Sequence, residues 1–486
     1  TWTDVTPKNM PEWAYIGNVE ISMHDADTVY LSATRFKLSD YKPYLFKSCD
    51  SGETWSLLSD NFPQNEITRV IRSDIKSVGL LFVGTETGIL VSNDDGKNWE
   101  RMKGKLPVVP VYDLKIKDDD LVVATHGRSF WILDDITPLR ASIDEKISLE
   151  LIMPRTTIRQ NIHWSAGIFN GDGKDYSPAF GVPGTSYMAE SIDGKKERKY
   201  LDTGENPPLG AIIYYWLNGN NVGKPVKISI KDGSGATIAT CDSGNDKESE
   251  KRKPTSYLGL NRFVWDLTEN GPTSLDDSLK VKKYKPFSKE GGGPAGAKVK
   301  PGKYQVVVDI GGQNKNCELE VISDPRISVA DEDFAEQHDL YGRVVAKLSE
   351  LNIAVNRVRL MKQQLKNMHK IMPEENKRID ELIASLDNVE GSLIDTKRET
   401  PRDVLRHEAG LDDTLINLLW VIKIADSKPP LQTKEVTEDV FGQVDSVLSK
   451  LESLIRNEIT DFNELIANAS PPTISSSSVG APKTGW

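Results

Sequence analysis

Two octapeptides, Ser48-Cys49-Asp50-Ser51-Gly52-Glu53-Thr54-Trp55 and Ser92-Asn93-Asp94-Asp95-Gly96-Lys97-Asn98-Trp99, constrain the fold of this chain more than any other feature. Both read Ser-x-Asp-x-Gly-x-x-Trp, and their first residues lie 44 positions apart. Each follows a β-rich run, Pro43-Tyr44-Leu45-Phe46-Lys47 in one case and Gly88-Ile89-Leu90-Val91 in the other. An Asp and a Gly two positions apart between strands make a tight hairpin, because Gly takes a positive φ and the carboxylate accepts nearby backbone N–H groups. The Trp opens the next strand and packs its indole back over the turn.

A repeat of about 40 to 45 residues built from short strands is the signature of propeller blades. The middle repeat places strands near 67–72, 80–84, 88–93 and 99–102, and the preceding one near 19–22, 28–33, 44–47 and 54–57. A third unit runs through 111–116, 120–124 and 130–133 and has lost its octapeptide, leaving Asp134-Asp135 before Pro138, as suits a terminal blade. The octapeptides resemble the Asp-box, or BNR repeat, of sialidase-type and sortilin-type β-propellers. In that family the box is a structural turn on the rim away from the ligand face, which implies a structural role for Asp50 and Asp94. Three blades fall short of the four to eight of a closed propeller. Further blades of the same precursor are therefore expected upstream of Thr1, as a partner fragment that carries part of any active site.

Past Pro138 the pattern changes. Residues 141–208 read as a connector rich in Gly, Asn, Asp and Pro, with one strand near 149–152. Alternation returns near 210–217, 226–230, 237–240, 261–267, 303–308 and 317–321, which argues a β-sandwich over 209–325. Gly259-Leu260-Asn261-Arg262-Phe263-Val264-Trp265-Asp266 and Pro301-Gly302-Lys303-Tyr304 resemble the immunoglobulin-like domain of flagellar hook-capping proteins. Loops 245–254 and 281–300 read as solvated.

From 326 to 468 the period becomes 3.6, with Val344, Leu348, Leu351, Val355, Val358 and Leu365 as one stripe and Val444, Leu448, Leu451, Ile455, Phe462 and Ile466 as another. These stripes bury one another in an α-helical bundle or hairpin, and an oligomer through this region is an open alternative. Ser328 with Asp331 offers a capping box for the first helix. Helices follow over 374–389, over 411–425 after a stretch opened by Thr400, Pro401 and Asp403, and over 433–467. Residues 469–486 form a flexible, Ser/Pro-rich tail. The expected architecture is multidomain and mainly β: blades over 1–140, connector, sandwich, bundle and tail.

Composition limits the chemistry. Lys and Arg number 61 against 72 Asp and Glu, a net charge of −11, so nucleic acid is excluded as a partner of the chain as a whole. The best candidate for an apolar span, 415–422, is short and interrupted by Asn417, against the roughly 18 residues that a membrane span requires. Three cysteines lack metal-ligand spacing and are too few for a disulfide scaffold, so no metal or cofactor is expected. Cys241 and Cys317 fall in β-like segments of one region, and a bond between them stays open.

The ligand face of a propeller lies opposite the Asp-box hairpins, where each blade's second-to-third-strand turn points. Those turns carry Arg35 and Lys37, Glu86, and His126 and Arg128. Glu86 is the candidate catalytic carboxylate; Arg35, Lys37, His126 and Arg128 are candidate ligand-binding groups. A glycosidase needs two carboxylates about 5 to 9.5 Å apart, and no second one is identified. The bland alternatives are that His126 and Arg128 cap a blade and that Arg35 and Lys37 are solvated charges.

The order of Asp-box blades, sandwich and helical C-terminus resembles a group of large secreted bacterial proteins named as glycosyl hydrolases, with sortilin-like propellers. That resemblance implies a secreted, periplasmic or surface protein with a glycan or peptide ligand. Two classes of function follow: a glycan-binding protein that also hydrolyses its ligand, or a non-catalytic polypeptide-binding or assembly scaffold.

Overall fold

The computed structural model of the chain describes residues 2–141, 143, 146–160, 174–175, 186–190, 196–200, 207–245, 252–279, 294–397 and 408–468. The expected helix start at Thr400, Pro401 and Asp403, the tail, and most of the connector and of the loops 245–254 and 281–300 lie outside these residues. The chain is mainly β with several sheets and has a C-terminal helical region. It divides into two compact units: residues 1–155, 214–220 and 258–260 form the first, and the remainder forms the second.

In unit 1, β1 (Tyr15–Ile21), β2 (Val29–Arg35), β3 (Asp40–Ser48) and β4 (Ser56–Leu57) form an antiparallel meander. A second meander joins β5 (Thr68–Ser73), β6 (Leu81–Thr85), β7 (Ile89–Ser92) and β8 (Glu100–Arg101). The third, of three strands, joins β9 (Val111–Lys117), β10 (Asp120–Thr125) and β11 (Phe130–Leu133). Each has the topology of a propeller blade. Helix α1 (Thr137–Arg140) and β12 (Leu149–Ile152) follow, and β12 pairs with residues 214–217.

The middle sheet is apolar on both faces because a neighbour covers each. Ile71, Leu81, Val83, Leu90 and Trp99 pack against Tyr30 and Leu45 of the first sheet. Val70, Phe82, Ile89 and Val91 pack against Val111, Leu114, Leu121 and Val123 of the third. Polar side chains then align the first strands of the three sheets. Asn18 accepts from Ile71 N (2.8 Å) and donates to Ile71 O (3.1 Å). Arg72 donates to Glu20 (2.8 Å), to Asp113 (2.7 Å) and to the Leu114 carbonyl (2.7 Å), so one guanidinium ties β5 to both β1 and β9. Arg140 of α1 closes the third sheet on the buried Asp74, with hydrogen bonds of 2.9 and 2.8 Å.

The two octapeptides are the same turn twice. Gly52 N donates to Ser48 Oγ (2.8 Å) and Thr54 N to Asp50 Oδ1 (2.8 Å); Gly96 N donates to Ser92 Oγ (2.9 Å) and Asn98 N to Asp94 Oδ1 (2.9 Å). The glycines take φ of +95° and +84°, where a side chain is strained.

Unit 2 holds β13 (Thr157–Arg159) and a small antiparallel meander of β14 (Lys174–Asp175), β15 (Ser186–Glu190) and β16 (Lys196–Tyr200). The segment expected as a plain connector therefore carries a sheet of its own. Strand β17 (Ala211–Leu217) begins in this unit. The strands β18 (Val226–Lys231), β19 (Thr237–Asp242), β20 (Gly259–Trp265), β21 (Gly302–Ile310) and β22 (Gln313–Ser323) follow. A five-stranded sheet has the order β13-β22-β21-β18-β19, antiparallel except for the parallel pair β13 and β22. Cys241 on β19 and Cys317 on β22 are thus separated by β18 and β21. Three strand spacings, about 14 Å, exceed disulfide reach, and no bond joins them, a correction to the open alternative above. Burial pushes the Cys317 thiol up to about 12.

Helices α2 (Asp331–Ile371), α3 (Asn376–Leu393), α4 (Leu411–Lys423), α5 (Leu431–Leu454) and α6 (Thr460–Asn468) share one core, which includes Val344, Leu351, Val358, Leu386, Leu415, Val444 and Phe462. A π-helical turn, Ile455–Ile459, separates α5 from α6 within what the stripe describes as one helix. The capping box does not form. Ala330 is the N-cap with no side-chain hydrogen bond, and Asp331, Glu332 and Asp333 instead place negative charge on the positive end of the helix.

Candidate functional site

The end of unit 1 that carries the β2–β3, β6–β7 and β10–β11 turns is built by a feature common to all three sheets. The first strand of each bulges near its start, with one extra residue at Gly17, Arg69 and Tyr112. A bulge breaks the alternation of side chains and re-aims the extra residue. Gly17 is the small member because a Cβ there would collide with the Arg69 carbonyl of the neighbouring strand. The second strand of each sheet carries a threonine at or next to its end, Thr34, Thr85 or Thr125, and the next residue is Arg35, Glu86 or His126. Glu86 N donates to Ile67 O (3.0 Å) and His126 N to Pro110 O (2.9 Å), which folds each turn back toward its own first strand.

These devices assemble a layered cluster. The Arg69 guanidinium lies over the Phe36 ring at 4.5 Å and over the Tyr112 ring at 4.8 Å. Tyr112 in turn stacks on His126, with centroids 4.9 Å apart and planes within 5°. Phe36 comes from the first sheet, Arg69 from the second, Tyr112 and His126 from the third. A guanidinium over an aromatic face is worth about 0.5–1 kcal/mol at such exposed sites. Glu86 fixes the guanidinium from the side: its Oε2 accepts from Arg69 Nε (2.8 Å) and Nη2 (2.6 Å). Arg69 is largely buried, Glu86 is half-buried, and Tyr112 and His126 are exposed.

The candidate residues separate accordingly. Glu86 and His126 join one cluster through Arg69 and Tyr112. Arg35 lies 3.5 Å from Asp40 instead. The Tyr44 hydroxyl, with Lys42 N and Arg35 adding to it against the opposing effect of burial, holds the Asp40 carboxyl below the usual carboxylate range. Burial and that carboxylate push Tyr44 up to about 12. Lys37 is exposed on a short 3-10 turn, Phe36–Leu38. Arg128 is exposed too, and its carbonyl accepts from Trp131 Nε1 (2.8 Å).

Arg69, Tyr112, Phe36 and Glu66 are the members that sequence reading missed. Glu66 is buried two residues before β5, accepts from Thr87 Oγ1 (2.6 Å) and pairs with Arg101. Reading the repeats in register from the apolar-Pro pairs Phe62-Pro63 and Leu106-Pro107 brings Arg69 and Tyr112 within one position of each other, and that was the available signal.

Three carboxylates described above therefore stand near this end: Glu86 and Glu66, each engaged by an arginine, and Asp40, engaged by Tyr44 and near Arg35. A layered aromatic and cationic surface with a half-buried acceptor beside it suits binding of a ligand with polar edges and flat apolar faces. His24, beside Asp25 and Asp27, uses Nε2 on the Asp74 carbonyl (2.9 Å), which is turn chemistry. Among the described residues no group of three His, Cys, Asp or Glu side chains is placed to hold a metal ion, and no helix is long and apolar enough to cross a membrane.

No family model matches the chain, and no curated protein matches it. Among solved structures it is similar to YCF48 bound to D1 peptide, at 17% identity over 29% of this chain and 43% of that one, with a TM-score of 0.18. It is similar to YCF48 from Cyanidioschyzon merolae at 17% identity over 43% and 55%, TM-score 0.20. It is also similar to the GH74 enzyme of Niastella koreensis at 12% identity over 63% and 46%, TM-score 0.21. The chain spans about half the length of these structures. Superpositions this partial carry no argument, and the blade topology of the three sheets rests on their own strand pairing.

Proposed function

We propose that unit 1 is part of the ligand face of an extracytoplasmic β-propeller protein of the Asp-box type, and that it binds a glycan rather than cleaving one. The observation that carries this reading is the four-layer cluster of Phe36, Arg69, Tyr112 and His126, with the Glu86 carboxylate at its side. Exposed ring edges and a carboxylate acceptor are the groups that meet sugar faces and hydroxyls. Binding is preferred to hydrolysis because the carboxylates described at this end are already engaged, Glu86 and Glu66 by arginines and Asp40 by Tyr44, whereas a glycosidase uses one as acid and one as base or nucleophile. Unit 2, read as an immunoglobulin-like sandwich followed by a helical bundle, would provide attachment or assembly. The extracytoplasmic setting rests on the resemblance to sialidase- and sortilin-type proteins.

A glycan array probed with the purified chain tests the reading. Retention of one glycan class, with Tyr112→Ala weakening it by about 5- to 30-fold, is expected, since loss of one stacked ring costs about 1–2 kcal/mol. Glu86→Gln should leave binding within a few-fold. Turnover of a retained glycan that vanishes in Glu86→Gln would reverse the choice between binding and hydrolysis. Retention of unstructured polypeptides and no glycan would favour the scaffold class.

A further inference from the structure

Because the three sheets of unit 1 repeat, each position buried between two of them has counterparts on the two outer flanks. Ile71, opposite Val83, is 0% exposed where the second sheet meets the first, while its counterpart Val19, opposite Leu31, is 56% exposed. On the other side, Ile89 and Val91 are 4% and 8% exposed against the third sheet, while their counterparts Phe130 and Ile132 are 75% and 59% exposed. Apolar residues at matching register, buried inside the arc and exposed at its ends, mark both flanks as inter-sheet faces.

The flank at Val19 also shows what belongs on it. Between the first two sheets, Trp99 Nε1 donates to the Leu58 carbonyl (3.1 Å), and a Cβ at Gly96 would sit 3.0 Å from the Leu58 side chain. On the outer face of the first sheet the same two contacts recur with Val5: Trp55 Nε1 donates to its carbonyl (2.7 Å), and a Cβ at Gly52 would sit 3.2 Å from its side chain. Leu58 stands three residues after Trp55, and Val5 three residues after Trp2. The linker repeats as well: Met10-Pro11 matches Phe62-Pro63, and Met10 N donates to Pro7 O (3.0 Å) as Phe62 N does to Ser59 O (3.2 Å). Residues 2–5 thus stand to the first sheet as residues 55–58, the last strand of the first sheet, stand to the second. Trp2 is fully exposed, whereas its counterpart Trp99 is buried.

We infer that the Val19 flank is the seat of a further four-stranded sheet of the same repeat, whose last strand is residues 3–5 and whose octapeptide turn ends in Trp2. Its partner chemistry is an apolar sheet face that covers Val19 as the face bearing Tyr30 and Leu45 covers Ile71, beside Leu31, which Met10, Ala14 and Trp55 already help to bury. The inference rests on packing register alone and stands whatever the ligand is.

Overlapping proteolytic peptides from the polypeptide as its cells make it, captured through an antibody against residues 431–468, read the residues before Thr1. Ser-x-Asp-x-Gly-x directly before Thr1 is expected. A polypeptide that begins at Thr1, alone or as a dimer with a second copy on the flank, overturns the inference, and so does a preceding sequence without that turn. A thermal comparison then reads the contact itself. In residues 1–486 alone, Val19→Asp should leave the unfolding midpoint nearly unmoved, while in the longer polypeptide it should lower it by roughly 5 °C or more, as Ile71→Asp does in both. Silence of Val19→Asp in the longer polypeptide would refute a buried flank.

Discussion

Asp94 does its work through three acceptor contacts, from Asn98 N, from Asn98 Nδ2 (2.7 Å) and from Ser92 Oγ (2.8 Å). Burial acts to raise its carboxyl, but these hydrogen bonds outweigh it and hold the group below the usual carboxylate range. Asp50 is lowered in the same direction by Thr54 and Ser48. A depressed folded-state value means that the stabilisation is complete above the unfolded value, about 3.9, and is lost as pH falls through the lower folded value. Thermal scans between pH 2 and 7 should therefore show unit 1 weakening below about pH 4. Asp94→Ala should cost about 1 kcal/mol at neutral pH and flatten that acid limb. At the binding face, Arg69→Lys should weaken ligand retention despite keeping the charge, because an ammonium can neither stack as a plane between Phe36 and Tyr112 nor give Glu86 two hydrogen bonds.

At the scale of elements, the strands of the 44-residue repeat are legible from alternation and turn residues. The middle sheet was expected at 67–72, 80–84, 88–93 and 99–102 and is found at Thr68–Ser73, Leu81–Thr85, Ile89–Ser92 and Glu100–Arg101. What alternation does not encode is the bulge, because one inserted residue leaves composition unchanged while it redirects a side chain. Arg69 and Tyr112 escaped notice for that reason, and attention to the turns alone found Glu86 and His126 without the residues that join them. The parallel strand β13 escaped because three residues are too few to show a period. Packing between elements gives two stability tests. Ile71→Ala should cost about 3 kcal/mol by opening a cavity between two sheets, readable by denaturant unfolding. In the helical region Glu390 is buried and accepts from Arg359 (2.7 Å) and Lys362 (2.8 Å). Glu390→Ala would leave the buried Arg359 guanidinium without its anion and Lys362 with Asp387 alone, and should cost about 3–5 kcal/mol, more than the Ile71 cavity.

At the scale of the whole molecule, the order of β repeats, mixed sheet and helices is readable because the dominant period changes from 44 residues to 2 and then to 3.6, and each period dictates which face must be buried. The candidate site was only half readable. Its residues come from three sheets, and side-by-side placement of their first strands depends on contacts such as Asn18 with Ile71 and Arg72 with Glu20 and Asp113, which no local pattern announces. The net charge of −11 adds a constraint on ligand type, since a strongly anionic polymer would have to overcome the field of the whole chain to reach this end, where Glu86 already neutralises Arg69. Neutral sugars meet no such barrier. The most direct measurement is titration of array-selected glycans into protein carrying carbon-13 labelled Tyr and His rings. Saturable movement of the Tyr112 and His126 ring signals, lost in Arg69→Ala, is the predicted result; binding that leaves both rings unmoved would contradict the account.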